Sequence, residues 1–218
     1  MMRIAIGDVH GRNAWKRYID RDFTEFYILG DYFDSFSVPF TWQYRNFREL
    51  CAAAREDSRI KLCLGNHDYH YLSRIDPDER YSGFQDRHYR AINELLEQNM
   101  DLLRVIYVTA DKYLISHAGV SNTFMEKMKA RGVEGIERID PAFIQDRTIL
   151  GFDGFDQYGD DPSQSPIWIR PASLSVDPLP DYNQIIGHTQ MERIKIITVG
   201  DIRLSCIDTG NRMSLYEF

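Results

Sequence analysis

Ser116-His117-Ala118-Gly119-Val120-Ser121 follows Asp111-Lys112-Tyr113-Leu114-Ile115, a run that reads as a buried strand. A histidine at the end of such a strand, followed by small residues, projects into a crevice rather than into the core. On its own this is weak, because a single histidine at a strand end is more often a satisfied structural residue. Four other stretches repeat the arrangement: Gly7-Asp8-Val9-His10-Gly11, Gly30-Asp31-Tyr32-Phe33-Asp34, Gly65-Asn66-His67-Asp68 and Gly187-His188-Thr189. Each follows a short apolar run and sets Asp, Asn or His at its end. Strand ends that gather hard oxygen and imidazole ligands in this way describe a metal centre.

Outward from these ends the chain alternates. Arg3 to Ile6, Phe26 to Leu29 and Ile60 to Leu64 read as strands. Between them lie a helix over Arg12 to Asp20, with Trp15 and Ile19 four apart, and a helix over Thr41 to Arg55, with Phe47, Leu50, Cys51 and Ala54 on one face. A β-α-β-α-β order implies a parallel sheet with its sites at the carboxyl edge. Residues Tyr69 to Arg90 interrupt it with arginines, aromatics and Pro77. The stretch is too polar for core and too long for an ordinary connection, so it is either a substrate-recognising cap or a solvated excursion. Helix resumes over Gln85 to Asn99, on the stripe Tyr89, Ile92, Leu95 and Leu96. Val105 to Val108 and Tyr113 to Ser116 form a hairpin, Thr123 to Ala130 is helical, and Gly151 to Pro166 is a loop.

The carboxyl-terminal part is rich in short β runs: Ile185-Ile186, Ile194 to Val199, Arg203 to Ile207 and Met213 to Tyr216. Turn signals at Gly200-Asp201 and Gly210-Asn211 separate them. An α/β half and a β-rich half that both supply ligands predict two sheets packed face to face with helices outside, in one domain over residues 1–218.

A chain of 218 residues buries a substantial core, and 43% apolar with 27% charged residues is ordinary for a globular protein. Lys plus Arg at 26 against Asp plus Glu at 33 gives −7, so general attraction to a nucleic-acid backbone is not expected. Cys51, Cys63 and Cys206 are odd in number and scattered, which argues against a disulfide framework and against a thiolate zinc site. No apolar run approaches the ~20 residues of a membrane helix. Met1 to Ile6 lacks the regions of a signal peptide, so a cytoplasmic location is expected.

Asp8 and His10 are two residues apart, and both are able to point into one crevice as the chain leaves its strand. Asp31 adds a carboxylate able to bridge two cations, Asn66 an amide oxygen, and His117 and His188 imidazole nitrogens. The set suits manganese, iron or zinc better than calcium, and six groups are too many for one tetrahedral ion. Two metals ~3.5–4 Å apart bind substrate oxygens and bring a bridging water to a pKa of roughly 7, which fits phosphate ester hydrolysis. His67, beside Asn66, is free to protonate the leaving oxygen, and Asp34 is placed to orient it.

Taken together, these motifs resemble the calcineurin-like metallophosphoesterase superfamily, in the family's order over residues 7 to 189. Ile167-Trp168-Ile169-Arg170-Pro171, the His-Ala-Gly motif and Ile207-Asp208-Thr209-Gly210 narrow the likeness to small bacterial phosphoprotein phosphatases and their diadenosine tetraphosphate hydrolase relatives. The resemblance implies a four-layer α/β/β/α fold of two mixed sheets. It implies one metal on Asp8, His10 and Asp31 and a second on Asp31, Asn66, His117 and His188. It also implies His67 as general acid paired with Asp34, and Arg170 as a phosphate clamp. Two positions depart from the narrower pattern. Ser35 stands where an arginine is usual, and Asp68 where a glutamate is usual, the latter as in many phosphodiesterases. Gln190 replaces the second histidine with which many phosphodiesterases end.

Other residues divide between roles. Arg12 either faces phosphate or opens its helix on the surface, and Arg74, Arg80 and Arg87 are candidates to replace the arginine missing at Ser35. Asp208-Thr209-Gly210 is a structural turn or a support for the ligands. His70 and His88 match no motif and are expected in surface or loop positions. The expected activity is a manganese-dependent phosphomonoesterase acting on a phosphorylated substrate, such as phosphoserine or phosphothreonine in proteins. Hydrolysis of dinucleoside polyphosphates or small phosphodiesters is the alternative. A catalytically silent scaffold is a third reading, against which His67 argues, since a scaffold has no need of a general acid.

Overall fold

The computed structural model describes residues 2–72, 75, 80, 82–151 and 158–218. Strands β1 (Arg3–Ile6), β2 (Glu25–Ile28) and β3 (Ile60–Cys63) pair in parallel, and the two-residue β4 (Leu103–Arg104) extends the sheet. Two helices complete this half: α1 (Phe40–Glu56) between β2 and β3, and α3 (Tyr89–Glu97) after the single turn α2 (Asn66–Tyr69). The period-2 alternation of a strand then sorts the side chains. Ile4, Ile6, Phe26, Ile28 and Leu62 join one core with Phe47, Leu50 and Ile92 of the helices. Ala5, Tyr27 and Cys63 face the other way, into a second cluster with Ile115, Ile185 and Ile207.

Those last residues belong to the second sheet. It is built from β5 (Ile106–Val108), β6 (Tyr113–Ser116), β7 (Asn183–Ile186), β8 (Lys195–Val199) and β9 (Ile202–Cys206), in the order β5-β6-β7-β9-β8. β6, β7 and β9 run parallel, while β5 and β8 close the edges antiparallel. The sheets touch directly: Tyr27 packs edge-on against Tyr107 at 5.5 Å, and the Tyr107 hydroxyl donates to Leu62 O at 3.2 Å. On the far face of the second sheet, Leu204, Cys206 and Ile186 pack with Leu174 of α6 (Pro171–Val176). The chain is therefore a four-layer α/β/β/α sandwich of two mixed five-stranded sheets.

Three readings of the sequence change. The helix expected over Arg12 to Asp20 is a single 3-10 turn, Ala14–Arg17. Lys16 N donates to Asn13 O in the 3-10 pattern, not to Arg12 O as in an α-helix, and the Arg12 carbonyl accepts from Asn46 Nδ2 at 3.1 Å. The last strand is β10 (Tyr216–Glu217), not Met213 to Tyr216, because the chain makes a turn at Gly210–Arg212 and crosses to pair antiparallel with β1. Residues Tyr69 to Leu72, read as part of a polar excursion, are buried, and Tyr71 stacks on Phe84 at 4.7 Å. The helices α4 (Asn122–Ala130) and α5 (Ile139–Gln145) complete the set; α5 and α6 are too short to carry a periodic signal. No helix among the described residues is long and apolar enough to cross a membrane.

Candidate metal centre

Parallel strands in both sheets point their carboxyl ends at one place. β1, β2 and β3 deliver Asp8, Asp31 and Asn66; β6 and β7 deliver His117 and His188; β9 delivers Asp208. The backbone bends sharply there, with left-handed φ at His10 (43°), Asp31 (53°), Asp34 (60°) and His188 (61°). Non-glycine residues hold such conformations only where the surroundings impose them, and they cluster at functional sites. Gly30, at φ 99°, lets the β2 end approach the β3 end, since a Cβ there would lie 2.6 Å from Gly65 N. Cross-links between the sheets hold the ends in register. His188 N donates to Asp8 Oδ1 at 2.8 Å, and His117 Nδ1 donates to Leu29 O at 2.6 Å.

These bonds also decide which ring atoms face the cleft. His117 spends its proton on Leu29 O, His188 Nε2 on Trp168 O (3.1 Å), and His10 Nδ1 on Phe33 O (2.7 Å). Burial, the largest influence on each, lowers the pKa of all three rings, so they are neutral and present a lone pair on the other nitrogen. His117 Nε2, His188 Nδ1 and Asn66 Oδ1 then meet at 2.9, 3.0 and 3.2 Å from one another with no proton between the imidazole nitrogens and the amide oxygen. Lone pairs that crowd in this way, backed by carbonyls that fix each tautomer, make a candidate cation slot. The spacing suits donors ~2.0–2.2 Å from a shared ion.

Carboxylates carry the same message. Asp8 and Asp31 are 3% and 2% exposed, and burial followed by the charges of Asp208 and Asp31 pushes Asp8 well above the usual carboxylate range. Buried like charges of this kind call for a cation. Asp31 Oδ1 accepts from His67 N at 2.9 Å, which leaves Oδ2 at 3.6 Å from His10 Nε2 and 3.4 Å from His117 Nε2. One oxygen thus stands between two ligand groups, Asp8–His10–Asp31 and Asp31–His117–His188. The donors present fit divalent metal.

A third group, Asp34, His67 and His70, is built differently. Its contacts are donors arranged on one carboxylate. His67 Nδ1 (3.0 Å) and His70 Nε2 (2.7 Å) meet Asp34 Oδ2, while the Tyr71 hydroxyl (2.5 Å) and Gln85 Nε2 (3.2 Å) donate to Oδ1. That is a hydrogen-bonded buttress rather than a metal shell. Burial opposes the His67 cation, but the Asp31 and Asp34 carboxylates outweigh it and hold the ring's pKa above its ordinary value.

The cleft over these groups is small, about 190 Å³, and is lined also by Arg12, Ser82, Trp168, Arg170, Gln190 and Asp208. Arg170 lies over Trp168 and donates from Nη1 to Thr189 Oγ1 (3.1 Å) and His188 O (3.3 Å). Arg12 folds back to donate from Nη2 to Asp8 O at 2.8 Å, so it lines the cleft and opens no α-helix. Asp8, His10, Asp31, Asn66, His117, His188, His67, Asp34, Arg170 and Arg12 therefore lie together.

The chain matches the calcineurin-like phosphoesterase family over residues 1–199. It belongs to that family. Family membership makes this calcineurin-like protein a metal-dependent phosphoesterase. Among solved structures it is similar to a cold-active protein-tyrosine phosphatase of a psychrophilic Shewanella species. Identity is 18%, TM-score 0.63, with 99% of this chain and 74% of that one covered. It is also similar to a protein serine/threonine phosphatase of Saccharomyces cerevisiae, at 14% identity and TM-score 0.53, with 94% and 67% covered. At such identities the likeness is one of fold. No curated protein matches the chain.

Several expectations for this phosphoesterase need correcting. His70 is buried against Asp34 rather than on the surface, and its spacing from His67, three residues along one helical turn, is the signal that would have found it. His88 stacks on Phe40 at 3.7 Å. Asp208 sits at a sixth strand end; Ile207-Asp208-Thr209-Gly210 has the same apolar-then-acid grammar as the other motifs. Asp68 does not face the cleft at all. Fully buried, it accepts from Asp31 N (2.9 Å), Tyr32 N (2.8 Å) and Gly65 N (3.0 Å), so it braces two strand ends. Ser35 Oγ accepts from Val38 N at 3.1 Å. Arg74 lies outside the described residues; Arg80 stacks on Phe84 at 4.3 Å, and neither Arg80 nor Arg87 lines the cleft.

Proposed function

We propose that the chain hydrolyses phosphomonoesters at a pair of divalent cations, manganese in the first instance, and that phosphoserine or phosphothreonine in proteins is its substrate class. The observation that carries this reading is the position of Asp31 Oδ2 between two sets of neutral or anionic donors, with a hydrogen-bonded acid beside them. Asp8, His10 and Asp31 would hold one ion; Asp31, Asn66, His117 and His188 the other. When bound, the ions supply a water-derived nucleophile at neutral pH and neutralise charge on the phosphoryl group.

The remaining steps belong to the protein. Arg170 and Arg12 flank the cleft with guanidinium groups suited to phosphate oxygens. His67 is placed to give a proton to the leaving oxygen, and Asp34 fixes its ring through Nδ1. His70, Tyr71 and Gln85 hold Asp34 in turn. The cleft's volume lies below the ~300 Å³ of ordinary ligand pockets, which favours a phosphoryl head with the rest of the substrate outside. Gln190 in the cleft, where a second histidine ligand is usual in phosphodiesterases, also favours monoesters.

The test is a side-by-side assay with added manganese on a phosphopeptide, a nitrophenyl phosphodiester and diadenosine tetraphosphate. A phosphopeptide preference supports the proposal; a preference for either of the others replaces it with the diester or dinucleotide reading.

A further inference from the structure

A second and larger cavity opens beside the cleft. It measures about 770 Å³ and shares Arg12 with the cleft, so whatever extends from a phosphoryl group past Arg12 enters it. Its walls come from the turn at Ala14–Arg17, the loop through Val38 and Pro39, and the first three turns of α1. Trp42 stands in the first turn of α1 with 60% of its surface exposed, whereas Trp15 and Trp168 are buried. A large aromatic left in water at the mouth of a concave site is the usual anchor for a partner group.

Charge narrows the occupant. Arg12, Lys16 and Arg45 line the groove with Glu49 as its acid, three cations against one anion in a protein whose net charge is −7. Glu49 ties down Lys16 (2.5 Å) and Arg45 (2.8 Å), which holds both ammonium and guanidinium over the groove. Among the described residues Arg12 makes no ion pair. The groove therefore favours an anionic guest with an apolar or aromatic group.

The polar groups decide between a nucleoside and a polypeptide. Reading a base needs side-chain amides free to match its edge. Asn46, the buried amide of this groove, is already committed, accepting from Trp15 Nε1 at 3.0 Å and donating to Arg12 O. Asn211 Oδ1 accepts from Arg12 Nη1 at 3.3 Å. Asn13, exposed on the rim, is the lining amide without a side-chain hydrogen bond among the described residues, and one rim amide does not match a base edge; the rest of the lining is an aromatic face, the Ser37 hydroxyl, the apolar edges of Val38 and Pro39, and cations, which recognise side chains of an extended chain without reading a ring edge.

We infer that this groove is a docking subsite for the polypeptide next to the phosphorylated residue, taking a large apolar or aromatic side chain on Trp42 and an acidic one beside Lys16 and Arg45, along the basic edge these residues form with Arg12. The inference rests on the phosphoprotein reading above and adds a sequence preference to it.

The experiment compares the parent protein with Trp42→Ala and Arg45→Glu on four substrates: a phosphopeptide with aromatic and acidic flanking residues, the same peptide with small neutral flanks, free phosphoserine, and adenosine monophosphate. Trp42→Ala should raise KM on the first peptide roughly tenfold, the loss of one aromatic anchor, with kcat little changed. The other three substrates should be unaffected. Arg45→Glu should act on the acidic peptide in the same direction. Binding of the first peptide to chelated protein should shift tryptophan emission in the parent and not in Trp42→Ala, a readout independent of turnover.

If the parent hydrolyses phosphopeptides but ignores their flanks, or Trp42→Ala is silent on all four, the docking subsite is overturned and the phosphatase reading stands. A selective loss on adenosine monophosphate would overturn it in favour of a nucleotide site. Equal losses on all four would reduce Trp42 to a structural role. If the parent hydrolyses no phosphopeptide and binds none, both readings fail together.

Discussion

Replacing Asp68 with asparagine should weaken the fold and the metal site without touching substrate choice. Asp68 Oδ2 accepts from Asp31 N and Gly65 N, and Oδ1 accepts from Tyr32 N. Asparagine keeps one oxygen. With that oxygen at the Oδ2 position, its amide nitrogen faces Tyr32 N at the present 2.8 Å, donor against donor. One hydrogen bond to an ionised acceptor is lost, about 1.5–3 kcal/mol, and two others weaken as their acceptor becomes neutral. Burial and the Asp31 charge already push the Asp68 carboxyl upward, so removing its charge returns part of that cost. The net loss is about 2–4 kcal/mol, or roughly 4–16 °C in melting temperature for a domain of this size.

The assay is thermal unfolding of chelated protein, so that bound metal does not add its own stabilisation. Metal content at limiting manganese and turnover on a monoester and a diester should be followed in parallel. Because the weakened bonds hold Asp31 and Gly65 at the β3 end, and the lost one the residue after Asp31, metal affinity should fall while the monoester-to-diester ratio stays constant. A melting temperature within ~1 °C of the parent, or a tenfold change in that ratio, would refute the bracing role and return Asp68 to the substrate cleft.

Metal analysis of manganese-loaded, desalted protein should approach two ions per chain; a value that stays at one, or that Asp31→Asn leaves unchanged, contradicts the bridged pair. His67→Asn should cost ~10²–10⁴-fold on phosphoserine and distinctly less on nitrophenyl phosphate, whose leaving group departs without a proton. His70→Gln and Asp34→Asn should show the same leaving-group pattern more weakly, with metal content intact; equal losses on both substrates would remove His67 from proton donation. Arg170→Ala should weaken inhibition by inorganic phosphate and lower turnover at constant metal content, and undiminished inhibition would count against a phosphate contact.

Much of this protein is legible in one dimension because a strand end is a local event. A short apolar run followed by a small residue and then Asp, Asn or His announces both the strand and the ligand: glycine precedes Asp8, Asp31, Asn66 and His188, and Ser116 precedes His117. The alternation of sheet and helix in the first half follows from periodicity, and the pairing of β1, β2 and β3 from their connections. The family resemblance rests on the same local strings.

What tertiary structure alone decides is whatever depends on partners far along the chain. The turn at Ala14–Arg17 is anchored by Asn46, more than thirty residues away, which donates to the Arg12 carbonyl just ahead of it. Asp68 looks like a specificity residue beside His67, yet its oxygens are consumed by the backbone at residues 31, 32 and 65. His70 and Tyr71 read as members of a polar segment, and folding carries them onto Asp34. The neutral tautomers that turn three histidines toward one cleft are set by carbonyls of Phe33, Leu29 and Trp168, none adjacent in sequence. Local patterning encodes which groups stand at strand ends. Long-range hydrogen bonds determine which of their atoms face the metal, because a buried donor must find its acceptor wherever the packed sheets bring one.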